Sequence, residues 1–122
     1  AKWRKRLGGA QRQVGIAAAA GLFALKNNIP RLAEDHANAR LLADLLRKGG
    51  VCVESVSCMT NMVFFPLDPS PLLDDEFEER CKERGLLLNM INPRRVRLVT
   101  HLDVDRDDVE RAAAVIIEVL SA

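Results

Sequence analysis

The stretch "RVRLVTHLD", residues 95–103, alternates between two kinds of side chain, as a strand with one buried face does. The alternation gives two sets, with Val96, Leu98 and Thr100 toward the core and Arg97, Val99 and His101 on the opposite face. The stretch therefore predicts a sheet that is packed on one side and carries a permanent positive charge on the other.

Two interpretations of Arg97 remain open at this point. Its planar guanidinium, with five donors, is suited to binding a carboxylate or phosphate through two parallel hydrogen bonds. The alternative is an ordinary exposed arginine paired with a local acid, which strand physics alone favours. His101 is predicted to be a hydrogen-bonded structural histidine, and because the other histidine, His36, gives no ligand spacing, no metal site is predicted.

The flanking sequence supplies helices for one side of this sheet. From residue 31 the predicted order is helix, strand, strand, helix, strand, strand, helix, with strands at 51–56, 61–67, 86–91 and 95–101. This order predicts an α+β fold, a small and mainly antiparallel sheet with helices on one face. The side chains predicted to face the core are Leu32, His36, Ala39, Leu42 and Leu46 in the first helix, Leu73, Phe77 and Cys81 in the second, and Val109, Ala113, Ile116 and Leu120 in the last.

Local signals mark the ends of these helices. Gly49 and Gly85 are predicted to end the first and second helices, and Ser70 is predicted to cap the start of the second. Asp105 and Asp108 have the spacing of a capping box for the last helix.

The N-terminal part of the chain has a different character. Residues 14–25 are apolar almost all round, which in a helix predicts burial on every side. A chain of 122 residues has little material to surround such a helix, so we assign residues 1–28 to the end of a larger domain and 29–122 to a small α+β domain. A targeting segment is disfavoured, because polar residues interrupt the apolar run and the run is too short to span a bilayer.

Charge and cysteine content limit the possible partners. The formal net charge is +1, which indicates neither a nucleic acid nor a membrane partner. Residues 1–33 nevertheless contain cations and no acid, so an anion site is expected near Gly8, Gly9 and Arg12, where a glycine turn precedes a helix. The three cysteines form no paired motif, which favours a reducing, cytoplasmic location.

Four segments, in order and spacing, resemble the C-terminal third of the low-specificity threonine aldolases, pyridoxal-phosphate enzymes of the aspartate aminotransferase fold type. They are "KRLGGAQRQVGIAAAAGLFAL", "RLAEDHANARLLA", "TNMVFF" and "RVRLVTHLDV". The resemblance implies that Arg97 binds the α-carboxylate of the substrate. It also implies that Lys5 and Arg12 approach the phosphate of the cofactor, pyridoxal 5'-phosphate, usually in a neighbouring subunit.

Two departures from the family pattern stand out. Ala10 replaces the third glycine of the family's turn and would restrict a positive φ at that position. No lysine of the chain lies in the sequence context of the family's Schiff-base lysine; the five are Lys2, Lys5, Lys26, Lys48 and Lys82. The resemblance therefore implies that the catalytic residues lie upstream and that this portion alone is inactive.

Three functions follow from these observations. The first is retro-aldol cleavage of threonine or allo-threonine to glycine and an aldehyde, by a parent enzyme that is a homodimer or homotetramer and takes a small amino acid as substrate. The second is a related pyridoxal-phosphate-dependent β-eliminating lyase, or a paralogue that has lost activity. The third is a stand-alone α+β module that binds a ligand or a protein.

Overall fold

The computed structural model describes residues 2–68 and 70–122. Ala1, at the start of the predicted segment 1–28, and Pro69, in the turn after the second predicted strand, lie outside the described residues. The chain forms two compact units, and the division falls after Leu32. Within the described ranges, no helix combines the length and the apolar character that a membrane span requires.

The first unit contains two helices, α1 (Lys2–Arg6) and α2 (Gly15–Asn27). The helix α2 ends at Asn27, and the Asn28 N–H donates to the carbonyl of Ala24 at 2.8 Å. No residue of α2 is buried, and the Phe23 side chain is 64% exposed. The described residues therefore do not surround α2. Its burial on every side stays a prediction.

The second unit is built on a three-stranded antiparallel sheet. Its elements, in chain order, are α3 (Leu32–Lys48), which begins at the unit boundary, β1 (Met62–Pro66), α4 (Asp74–Glu83), β2 (Asn89–Asn92), β3 (Arg95–Val99) and α5 (Arg106–Ser121). The strand order is β1-β3-β2, so the strand predicted at 95–101 is the central one. The predicted α+β fold is confirmed.

One hydrophobic core joins the three helices to one face of the sheet. Val96 and Leu98 of β3 are buried there with Val63 and Phe65 of β1. The helical members of this core are Ala39, Leu42, Ala43, Leu46, Phe77, Cys81, Val109, Ala113, Ile116 and Val119. Arg97 and Val99 are exposed, so the predicted alternation along this strand is confirmed.

The strand predicted at 51–56 is wrong. This segment follows the free edge of β1, and the Glu54 N–H donates to the carbonyl of Phe64 at 2.9 Å. The ladder ends there because the Ser57 hydroxyl bonds both the N–H and the carbonyl of Phe64, at 2.9 and 3.0 Å. Cys58 then takes a positive φ of 65°, which turns the backbone out of an extended conformation.

Several helix assignments also need correction. Leu32 and Leu73 are exposed, and His36 and Leu120 are only partly buried, whereas the polar residues Asp35 and Asn38 are buried on α3. The Ser70 hydroxyl accepts from the Leu72 N–H at 3.3 Å, before α4 begins, so it does not cap that helix. The capping box of Asp105 and Asp108 at the start of α5 is confirmed.

Candidate functional site

Arg97 lies in the middle of the central strand, on the face away from the helices. Its backbone is in register with Phe64 of β1 on one side and Asn89 of β2 on the other. The side chain is exposed, and it makes no hydrogen bond, ion pair or ring contact with any side chain that the structure describes. The sheet thus fixes the position of a guanidinium that has no partner among the described side chains.

Arg95, two residues before Arg97 on the same strand, is in the opposite situation. Its Nε and Nη2 atoms donate to the two carboxylate oxygens of Glu54, at 2.8 and 2.7 Å. Its guanidinium carbon also lies 4.9 Å from the ring centroid of Phe64. The hydrogen bonds between Arg95 and Glu54 lower the pKa of Glu54 and raise the pKa of Arg95. Their effect on each pKa outweighs the opposite effect of partial burial. The local acid expected to neutralise Arg97 is therefore engaged with its neighbour.

A buried polar group anchors the end of this strand to α3. The Thr100 hydroxyl donates to the carbonyl of Asp35 at 2.6 Å, and Thr100 is 2% exposed. Thr100 and Asn61 also bond each other's backbone, through the Thr100 N–H at 2.9 Å and the Asn61 Nδ2 at 2.6 Å. These bonds fix the end of the strand relative to α3, and hence the position of Arg97 along it.

His101 forms local contacts only. Its Nδ1 accepts from the Asp103 N–H at 3.3 Å and lies 3.7 Å from the Asp103 carboxylate. This agrees with the predicted structural histidine. In the described ranges, no group of three or more His, Cys, Asp or Glu side chains is placed to hold a metal ion.

The second predicted site is the glycine turn of the first unit. Gly8 has a φ of +76°, which glycine adopts at little cost, and Gly9 lies close to the Arg4 backbone. Ala10 does not take a positive φ, so its replacement of a glycine causes no backbone strain here. Lys5 and Arg12 flank this turn and are exposed, in a different unit from Arg97.

Sequence reasoning missed Arg94, which organises the loop before α4. The Arg94 side chain donates to the Asp68 carboxylate at 2.7 and 3.0 Å, to the Ser70 carbonyl at 2.6 Å and to the carbonyl of Leu72. Its own N–H donates to Asp74 at 3.0 Å, and its φ is +63°. The available signal was a second arginine, next to Arg95, in the turn that leads into a predicted strand.

Comparison with known proteins places the chain in a family. A model of the family described as beta-eliminating lyase matches residues 1–68, more than half of the chain. The chain belongs to the beta-eliminating lyase family.

Relatives of this chain carry a more specific description. Over 113 residues it is 46% identical to the low specificity L-threonine aldolase of Escherichia coli (strain K12), an alignment that covers 93% of this chain and 32% of that protein. It is 40% identical over 108 residues, 87% of this chain and 30% of the relative, to low-specificity L-threonine aldolase 1 of Arabidopsis thaliana. A probable low-specificity L-threonine aldolase of Schizosaccharomyces pombe is 36% identical over 111 residues, 90% of this chain and 27% of the relative. The chain spans about a third of the length of these relatives.

Proposed function

We propose that this chain is part of a pyridoxal-phosphate-dependent aldolase that cleaves threonine, allo-threonine or a similar β-hydroxy-α-amino acid to glycine and an aldehyde. Within it, Arg97 binds the α-carboxylate of the substrate. The observation that carries the proposal is the contrast on β3, where Arg95 is satisfied by Glu54 and Arg97 has no partner among the described residues. The 46% identity to a threonine aldolase, in an alignment that covers 93% of this chain, supports the choice of substrate.

Arg97 would act by orientation. A guanidinium that donates two parallel hydrogen bonds fixes both the position and the plane of a carboxylate. Holding the α-carboxylate in this way would fix the orientation of the bonds at Cα and so select which of them breaks. Arg97 remains charged throughout, so it moves no proton.

The residues of the first unit fit the phosphate of the cofactor. Lys5 and Arg12 make no ion pair with a described residue, and no acid occurs in residues 1–33 to compete for them. They would hold the phosphate beside the Gly8 turn, where the backbone accommodates close approach. When bound, pyridoxal phosphate supplies an electron sink for the negative charge that develops at Cα.

The covalent attachment point of the cofactor would lie outside residues 1–122. None of the five lysines of the chain, Lys2, Lys5, Lys26, Lys48 and Lys82, has the context of a Schiff-base lysine. We therefore expect the chain by itself to be inactive.

The partners follow from the same proposal. The chain would bind a small amino acid and neither nucleic acid nor a membrane, in a cytoplasmic homodimer or homotetramer. The exposed apolar surface of α2 supports further protein around this helix, because large apolar surfaces are seldom left in water.

A chimeric enzyme tests this function. Residues of this chain replace the matching segment of the Escherichia coli threonine aldolase, and cleavage of threonine and allo-threonine is measured by aldehyde release. We expect cleavage that depends on Arg97. A folded chimera that binds pyridoxal phosphate but releases no aldehyde from either substrate would contradict the proposal.

The second candidate is β-elimination, which the family-model match over residues 1–68 favours. The same chimera distinguishes the two reactions when it is given threonine, which yields glycine and an aldehyde on retro-aldol cleavage but a keto acid and ammonia on elimination of the β-hydroxyl. Keto-acid formation without glycine formation would favour the lyase.

A further inference from the structure

The open face of the sheet presents two arginines side by side. Arg95 and Arg97 are two residues apart on β3, so they project from the same face at a Cα separation of about 7 Å. Two free guanidiniums at this spacing could each take one carboxylate of a dicarboxylic acid. Among the described side chains, Arg95 has a carboxylate partner and Arg97 has none.

Glu54 is held in place by more than its contact with Arg95. Its backbone N–H donates to the carbonyl of Phe64 at 2.9 Å, and three residues later the Ser57 hydroxyl bonds both backbone groups of Phe64. The segment from Glu54 to Ser57 is thereby fixed along the edge of β1. The Glu54 carboxylate is placed by this backbone, with its side chain 27% exposed.

Arg95 is also held from a second direction. The Phe64 ring lies against its guanidinium at 4.9 Å, and Phe64 is the residue in register with Arg97. To bind Arg95, a ligand carboxylate would have to displace the two charge-assisted hydrogen bonds between Arg95 and Glu54. It would also approach the negative charge of Glu54.

We propose that Glu54 is a specificity-determining residue of the Arg97 site. By occupying Arg95, it restricts the open sheet face to ligands with one carboxylate and excludes dicarboxylic acids. This inference rests on the proposed function, because it requires that Arg97 bind a carboxylate.

The experiment uses the 122-residue chain, with acetate and succinate as probes at constant ionic strength. NMR follows the Nε–H resonance of Arg97, assigned by its loss in Arg97→Ala. In Glu54→Gln, Arg95 keeps its charge and loses its carboxylate partner. We expect the preference for succinate over acetate to rise about fivefold in this variant, as for one additional exposed ion pair.

Two further variants control the result. Glu110→Gln removes a carboxylate that pairs with Arg106 on α5, at 3.0 Å, and should leave the preference unchanged. The double variant Glu54→Gln/Arg95→Gln should lose the gained preference. Arg95→Gln alone, which leaves Glu54 charged and without its partner beside Arg97, should weaken binding of both probes.

The outcomes separate this inference from the proposed function. If acetate shifts the Arg97 resonance and the preference is the same in wild type and Glu54→Gln, Glu54 does not determine specificity, although the carboxylate site stands. If acetate leaves the Arg97 resonance unchanged in the wild-type chain, the carboxylate site is refuted and this inference with it.

Discussion

The Glu54 carboxylate and the Arg95 guanidinium meet through two parallel hydrogen bonds, at 2.8 and 2.7 Å, across a sequence separation of 41 residues. Both oxygens of the Glu54 carboxylate are engaged by Arg95. The pair leaves Arg97, on the same face, as a cation without a partner among the described side chains. The pair also links the irregular segment before β1 to the central strand.

The first prediction concerns the pH dependence of this pair. The pKa of Glu54 in the folded chain is lowered from its ordinary value of 4.5, chiefly by hydrogen bonding from Arg95. Ionised Glu54 therefore stabilises the fold above pH 4.5, and this contribution is lost as the pH falls through the folded pKa. At pH 7, Glu54→Gln should lower the free energy of unfolding by up to about 1 kcal/mol, since the pair is partly exposed.

Urea unfolding of wild type and Glu54→Gln, at pH 7 and at a pH below the folded pKa of Glu54, measures this effect. The stability difference should vanish at the lower pH. Glu110→Gln serves as the control for removal of an acid from a helical surface pair. An equal difference between wild type and Glu54→Gln at both pH values would refute the assignment.

The second prediction concerns Thr100, which joins the end of β3 to α3. Thr100→Val keeps the shape of the side chain and removes the hydroxyl that donates to the Asp35 carbonyl at 2.6 Å. Because the site is buried, the free energy of unfolding should fall by about 1–3 kcal/mol. Thr60→Val, at an exposed threonine, should have little effect in the same denaturation experiment. Equal stability of the two variants would show that the hydroxyl does not anchor the strand.

The third prediction concerns Arg94 and the loop it organises. Arg94→Ala removes the side-chain hydrogen bonds to Asp68, Ser70 and Leu72, and should lower the free energy of unfolding by about 1–3 kcal/mol. Alanine and arginine are similarly strained at a φ of +63°, so the change in the free energy of unfolding reports the lost hydrogen bonds. Arg47→Ala, which breaks an exposed pair with Asp44 on α3, is the matched control. A loss no greater than that of the control would contradict this role.

The fourth prediction uses the cysteines to test the packing of α4. Cys81 is buried, and burial raises the pKa of its thiol to about 11, whereas Cys52 is exposed. A thiol reagent at pH 8 should label Cys52 rapidly and label Cys81 only as the chain unfolds, because the thiolate is the reactive form. Labelling rates, read by mass spectrometry in Cys52→Ser and Cys81→Ser, assign each site. Similar labelling rates at Cys52 and Cys81 in the native chain would contradict the burial of Cys81 and hence the packing of α4.

The sequence predicted the elements whose signals are local. Alternation identified β3 and the outward direction of Arg97, and the spacing of Asp105 and Asp108 identified the start of α5. The strand predicted at 51–56 failed because a side chain, the Ser57 hydroxyl, replaces the backbone bonds of the ladder. Apolar periodicity carries no information about such a replacement.

The pairing at the site could not be predicted from the sequence. Whether Glu54 meets Arg95 or Arg97 depends on the register of β1 against β3 and on the path of the edge segment. The burial of Asn38 likewise depends on the distant backbone carbonyl of Val104, which becomes its neighbour only in the folded chain. Long-range polar contacts of this kind decide which arginine remains available.

The central claim is that Arg97 binds the substrate carboxylate, and kcat/KM for threonine cleavage by the chimeric enzyme tests it most directly. Arg97→Ala should cost about 2–5 kcal/mol in transition-state stabilisation, the range for truncating one member of a charge pair that becomes buried when the substrate binds. Arg97→Lys should recover only part, because an ammonium cannot reproduce the two parallel bonds. Thermal stability should be unchanged, as for the exposed control Arg106→Ala, since Arg97 contributes nothing to the core. Normal kcat/KM in Arg97→Ala, with or without a loss of stability, would contradict the account.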